Sequence, residues 1–105
     1  MTVETALFQL LDEEARVAFD ELLAASGLAR EELIELVEFG VFEPRGTGTQ
    51  SWRFTSRTVV LARRAVRLRE DFGLNAPGMA LALTYLERIE ALERRIRELE
   101  CQLLA

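Results

Sequence analysis

The run Val37–Phe54, VEFGVFEPRGTGTQSWRF, limits the fold of this chain more than any other stretch. It begins as the tail of a helix and stops at Gly40. It then crosses a segment with no bulky apolar residue, loosened by Gly46 and Gly48, and returns on Trp52 and Phe54. Upstream lie two helical patterns separated only by Ser26-Gly27-Leu28-Ala29. Helix, tight break, helix, glycine stop and hairpin together outline a winged helix-turn-helix.

The first helix is expected over DEEARVAFDELLAASG. Asp12 would cap it, Glu13 and Glu14 would favour the positive end of its dipole, and Gly27 would end it. Ala15, Phe19, Leu22 and Leu23 fall on one face at helical spacing. The preceding TALFQL, Thr5–Leu10, reads as a short strand or as a lead-in to that helix. The second helix, LAREELIELVEFG, turns Leu33, Leu36 and Val37 inward and stops at Gly40. In the wing, Val41 and Phe42 read as a brief strand. Glu43-Pro44-Arg45 and GTGTQS form the turn region, and Trp52 to Phe54 form the return strand. Pro44 lacks an amide hydrogen for a ladder, so that strand must be short or lie on an edge.

The third helix, TSRTVVLARRAVRLREDFG, is capped by Thr55 or Ser56 and stopped by Gly73. Val59, Val60, Ala62, Val66 and Leu68 form its apolar stripe, and Arg57, Arg63, Arg64, Arg67 and Arg69 occupy the rest. Asn75 caps the last helix, and Pro77 is tolerated in its first turn. From Tyr85 onward apolar residues recur in alternating steps of four and three: Tyr85, Ile89, Leu92, Ile96, Leu99, Leu103. This is a heptad seam, with a at Ile89, Ile96 and Leu103 and d at Tyr85, Leu92 and Leu99. Arg88 and Arg95 then occupy g, and Glu93 and Glu100 occupy e. A parallel pair sets each Arg against a Glu of the partner, whereas an antiparallel pair sets like against like. The seam predicts a homodimer, with folding back onto the same chain as the alternative. The expected division is a winged-helix domain over residues 1–74 and a coiled-coil dimerisation helix over 75–105.

Composition excludes several classes of function. A chain of 105 residues, half of them hydrophobic, builds one domain with room for one projecting element. It has no histidine, the usual general base and metal ligand. Its one cysteine, Cys101, sits at an outward f position. GTG lacks the strand-to-helix setting and the lysine of a phosphate loop. No catalytic residue, metal site or cofactor is expected, and the chain reads as a binding protein and not as an enzyme. It has no apolar run of membrane-spanning length and no cationic start followed by a cleavage site, so a cytoplasmic location is expected.

Charge separates along the chain. Residues 1–50 hold three arginines and eleven acids, a net −8, while residues 51–105 hold ten arginines and seven acids, a net +3. A DNA-reading helix-turn-helix offers Arg, Lys, Asn or Gln to base edges from its second helix. Here that helix carries Arg30 with Glu31, Glu32, Glu35 and Glu38, which repels a phosphate backbone. Glu31, Glu35 and Glu38 recur at i, i+4 and i+7 and form an acidic ridge beside the wing. Such a ridge suits a basic polypeptide surface, with apolar anchors nearby supplying affinity.

VEFGVFEP, SWRF and ARRAVRLREDFGLNAPGMALALTYLERIEALERR together resemble the CbpM family of bacterial chaperone modulators, over roughly Leu28 to Arg95. The most specific parts are EP after the second helix, Trp52, RAVRLR at Arg64–Arg69 and PGMALAL at Pro77–Leu83. The resemblance implies a MerR-like winged helix-turn-helix: mainly α, with a small β-hairpin and a long C-terminal coiled-coil helix. It implies a protein that binds the J-domain of a DnaJ-like co-chaperone, CbpA, and inhibits it by competing with DnaK. On that reading the expected partner-binding residues are Glu31, Glu35, Glu38, Val41, Phe42 and Trp52. A MerR-like DNA-binding transcription regulator and a plain dimerisation adaptor remain as alternatives.

Overall fold

The computed structural model of the chain describes residues 14–104. The expected strand or lead-in at Thr5–Leu10, the expected cap Asp12 and the first-turn Glu13 lie outside them. In chain order the elements are β1 (Val17–Ala18), α1 (Phe19–Ser26), α2 (Arg30–Glu38), β2 (Arg53–Phe54), α3 (Ser56–Phe72) and α4 (Ala76–Leu104).

The first helix is shorter than its amphipathic pattern suggested. It starts at Phe19, and Ala15 precedes it, because Val17 and Ala18 are extended and pair antiparallel with Phe54 and Arg53. Glu21 then closes the start of α1 by accepting the Ala18 amide at 3.2 Å. At the other end the Gly27 amide bonds to Leu23 O at 3.0 Å. The connection to α2 turns on Ser26, whose buried Oγ accepts the Leu28 amide at 3.1 Å. Leu28 is buried in the core.

The expected strand at Val41–Phe42 is a bend. Phe39 caps α2, and Gly40 follows with φ +79°, the left-handed conformation that glycine adopts at little cost. The Gly40 amide bonds to Val37 O, and the Val41 amide reaches back to Leu36 O, both at 3.0 Å. That pair of bonds is the Schellman closure of a helix end. It takes the Val41 amide that a ladder would have used and turns the Phe42 side chain into the core. The wing is therefore a hairpin closed at one position, where Arg45 and Arg53 exchange both backbone bonds at 2.9 Å. Its other edge is covered by β1.

Both later helices begin where the sequence places their caps. The Thr55 hydroxyl accepts the Thr58 amide at 3.3 Å, and Asn75 Oδ1 accepts the Gly78 amide at 2.9 Å. On α3 the buried positions are Thr58, Ala62 and Ala65, whereas Val60 is half exposed and does not belong to the inward stripe. Small residues there let α1 and α4 approach closely.

The core joins Phe19, Leu22, Leu28, Leu33, Leu36, Phe42 and Phe54 with Ala62 and Ala65 of α3 and with Ala76, Met79, Ala80 and Leu83 of α4. It does not stop at residue 74, because the first two turns of α4 close one side of it. Beyond Glu87 every described residue of α4 is exposed, and the helix runs on without folding back. Arg64 on α3 holds Glu90 on α4 at 2.7 Å where the helix leaves the domain. Among the described residues, no helix is long and apolar enough to cross a membrane.

Candidate interaction surface

The surface of interest is built by α2 and the wing. Leu33 and Leu36 are fully buried and lock α2 against the domain, with Ile34 and Val37 packed half-buried beside them. With those positions facing inward, helical periodicity leaves Glu31, Glu35 and Glu38 toward solvent. Glu31 and Glu38 are exposed and Glu35 is half-buried. Among the described residues none of the three forms an ion pair with an arginine of its own chain. The remaining acid of the helix behaves differently. Glu32 Oε1 accepts the Ala29 amide at 2.8 Å and holds Arg69 of α3 at 2.5 Å.

The arginines of α3 are mostly occupied by the fold. Arg63 Nε donates to Ala25 O at 3.0 Å, at the exposed carbonyl end of α1. Arg69 adds a contact to Gly27 O at 3.4 Å, and Arg64 holds Glu90. These side chains satisfy helix-end carbonyls and fix inter-helix angles, so they are not a free row of phosphate contacts. Arg57 and Arg67 are exposed, with no such bond among the described residues.

The apolar residues expected at the surface divide three ways. Phe42 is a correction: it is only 2% exposed and belongs to the core, because the Schellman turn points it inward. Val41 is half-buried at the rim. Trp52 is half-buried between Phe19 and Phe54, with ring centroids 5.9 Å and 6.1 Å away, the latter edge-on. Those two rings pack against one side of it, and the rest reaches the surface. Phe39, which the sequence reading passed over, is 52% exposed and directly follows Glu38. Its signal was available: a bulky apolar residue at the cap of a helix lies outside the inward stripe.

The second surface lies on α4. Tyr85, Ile89, Leu92, Ile96, Leu99 and Leu103 are all exposed, between 42% and 85%. At 3.6 residues per turn, this seam lies roughly opposite the face that Ala76, Met79, Ala80 and Leu83 bury. Leu81, 60% exposed, extends it toward the domain.

A helix-turn-helix with a one-rung wing and a long projecting C-terminal helix defines a class, that of the MerR-type regulators. Residues 17–101 match the family described as MerR HTH family regulatory protein. Among individual proteins, the chain is 38% identical over 91 residues to the chaperone modulatory protein CbpM of Coxiella burnetii, covering 87% of this chain and 86% of that one. It is 40% identical over 79 residues to CbpM of Salmonella arizonae, covering 75% and 78%. It is 39% identical over 83 residues to CbpM of Escherichia coli O139:H28, covering 79% and 82%. The chain belongs to the CbpM family of chaperone modulatory proteins, within the MerR-type helix-turn-helix fold.

Proposed function

We propose that this protein is a cytoplasmic chaperone modulator that binds the J-domain of a DnaJ-like co-chaperone of the CbpA type and inhibits it by competing with DnaK. The observation that carries this reading is the row Glu31, Glu35 and Glu38, unpaired among the described residues. It lies on the helix that a DNA-binding relative would insert into a groove. Charge complementarity with a basic J-domain helix steers encounter and fixes orientation. Phe39, Val41 and the free edge of Trp52 supply apolar contact beside the row. The role is one of binding and requires no catalytic group or cofactor. The contact unit is the winged-helix domain, residues 1–74, completed by the first turns of α4.

The α4 seam supports a homodimer. Three heptads of exposed Ile and Leu face away from the domain core. The placement of Arg88 and Arg95 at g with Glu93 and Glu100 at e favours parallel pairing.

Calorimetry with the purified J-domain tests the main reading. The double variant Glu35→Arg, Glu38→Arg is expected to bind at least ~10-fold more weakly, about 1.4 kcal/mol, with unchanged circular dichroism. A folded double variant with undiminished affinity removes the acidic row from the mechanism. The MerR family match favours DNA binding as a second reading. Retention on a duplex-DNA column at ~0.15 M salt, where phosphate contacts are already screened, would support it.

A further inference from the structure

We infer that the cleft between the wing tip and the starts of α1 and α2 is a carboxylate pocket, accepting one Asp or Glu side chain of the bound partner polypeptide. The assignment rests on the J-domain reading for the partner's identity, but not for the pocket's chemistry. The cleft has a volume of about 250 Å³ and is bordered by Phe19, Asp20, Arg30, Thr49, Gln50 and Arg53. It is smaller than the ~300–1,000 Å³ of pockets that take whole small-molecule ligands.

Two guanidiniums border it from different elements. Arg30 lies over the Phe19 ring, its Cζ 4.8 Å from the centroid. A cation–π stack of this kind orients the guanidinium and leaves its edge nitrogens free to donate. Its carboxylate neighbour Asp20 is 3.9 Å away, beyond hydrogen-bond length, with a side chain 90% exposed. Arg53 is held to the wing by backbone carbonyls instead: Nη1 donates to Trp52 O at 2.8 Å and to Gln50 O at 3.3 Å. Among the described residues it meets no carboxylate.

Two guanidiniums against one loosely paired acid, Asp20, leave a local positive charge beside the acidic row of α2. A single carboxylate matches that charge, and the planar fork of arginine suits it geometrically. The pocket opens beside Arg30, the first residue of the helix that carries the acidic row. A basic partner surface lying on that row would be placed in register by one acidic side chain entering the cleft.

The test is a double-mutant cycle on the full chain. Arg30→Gln with Arg53→Gln is expected to weaken J-domain binding about 10-fold at unchanged melting temperature. Arg53→Lys, which keeps the charge but loses the fork, is expected to fall between. Each Asp and Glu of the J-domain is replaced in turn by Asn or Gln. One of them is expected to cost as much as the arginine change and to cost nothing further against the arginine variant. Unchanged binding by the arginine variant, or strictly additive losses for every partner carboxylate, overturns the pocket. If the wild-type chain binds no J-domain, the partner assignment fails separately. The pocket is then judged by titrating the chain alone with N-acetyl-aspartate amide, inorganic phosphate and acetamide, read by amide and arginine NMR shifts. Shifts confined to Arg30, Thr49, Gln50 and Arg53 with the carboxylate support it. Stronger response to phosphate, or shifts spread over the α3 and α4 arginines, overturns it.

Discussion

Glu32 and Arg69, 37 residues apart in sequence, meet at 2.5 Å across the seam between α2 and α3. The same Glu32 oxygen accepts the Ala29 amide at the start of α2, and Arg69 also reaches the Gly27 carbonyl in the turn. One ion pair therefore joins the helix-turn-helix connection to the helix behind it. It also removes one of the four acids of α2 from the surface, leaving Glu31, Glu35 and Glu38 as the row open to a partner.

The pair predicts a ranking among the acids. Glu32→Ala loses a helix-start acceptor, worth ~1 kcal/mol. It also takes the nearer carboxylate from Arg69, which is only 29% exposed and keeps just the exposed Glu70 at 3.5 Å, a further ~1–2 kcal/mol. Urea unfolding is expected to show a loss of about 2–3 kcal/mol for Glu32→Ala, against less than ~0.5 for Glu31→Ala or Glu38→Ala. Equal midpoints for the three variants would show that the pair contributes nothing.

Phe42 and Phe39 separate packing from contact. Phe42→Ala opens a cavity in a filled core and is expected to cost ~3–5 kcal/mol, so any loss of binding follows loss of fold. Phe39→Ala, at a half-exposed cap, is expected to change stability by less than ~1 kcal/mol while weakening J-domain binding severalfold. Thermal melts and calorimetry on the same two samples check both statements. Full affinity in Phe39→Ala would exclude that ring from the contact.

The wing depends on Gly46. Its φ is +106°, and a Cβ there would lie 2.5 Å from the Ser51 carbonyl oxygen. Gly46→Ala is expected to cost ~1–3 kcal/mol through strain. Hydrogen exchange should accelerate first at the Arg45 and Arg53 amides, which close the hairpin. Unchanged protection at those two amides would contradict the strained turn.

The α4 seam predicts separable assembly. Ile96→Asp places a charge at the centre of the stripe, outside the domain core. Sedimentation is expected to show a monomer whose near-ultraviolet spectrum is unaltered. Arg88→Glu with Arg95→Glu should pair poorly with itself, and better with a Glu93→Arg, Glu100→Arg chain at low salt, by a few tenths of a kcal/mol per exposed pair. A variant series whose sedimentation never changes would refute the seam.

Much of the fold is legible residue by residue. Thr55 and Asn75 cap the helices they precede, because a side-chain oxygen finds an amide three residues on whatever surrounds it. Gly27, Gly40 and Gly73 end helices for equally local reasons. The heptad stripe of α4 is periodic enough to read before any packing is known, and the structure leaves it exposed instead of folded back. Where reading and structure part, a competing ladder, turn or packing face has decided the outcome. Val17 and Ala18 leave the helical pattern of DEEARVAFDELLAASG because Arg53 and Phe54 offer them a ladder. Phe42 looks like a strand residue on a binding face but is drawn inside by a helix-end turn. Phe39 shows the converse, since it is left outside although its side chain is as apolar as those in the core.

Sequence alone therefore determined the order of helices, the caps of α3 and α4, the separation of charge and the apolar stripe of α4. All of these rest on interactions within a few residues or on composition. Only the tertiary structure decided which acids are free and which are spent. Glu32 and Glu35 lie about one turn apart on the same helix, and just one of them meets an arginine of α3. It likewise decided that Arg30 and Arg53 border one cleft, because the wing folds back toward the start of α2. Packing alone brings such sequence-distant charges together, and each finds or lacks a partner there.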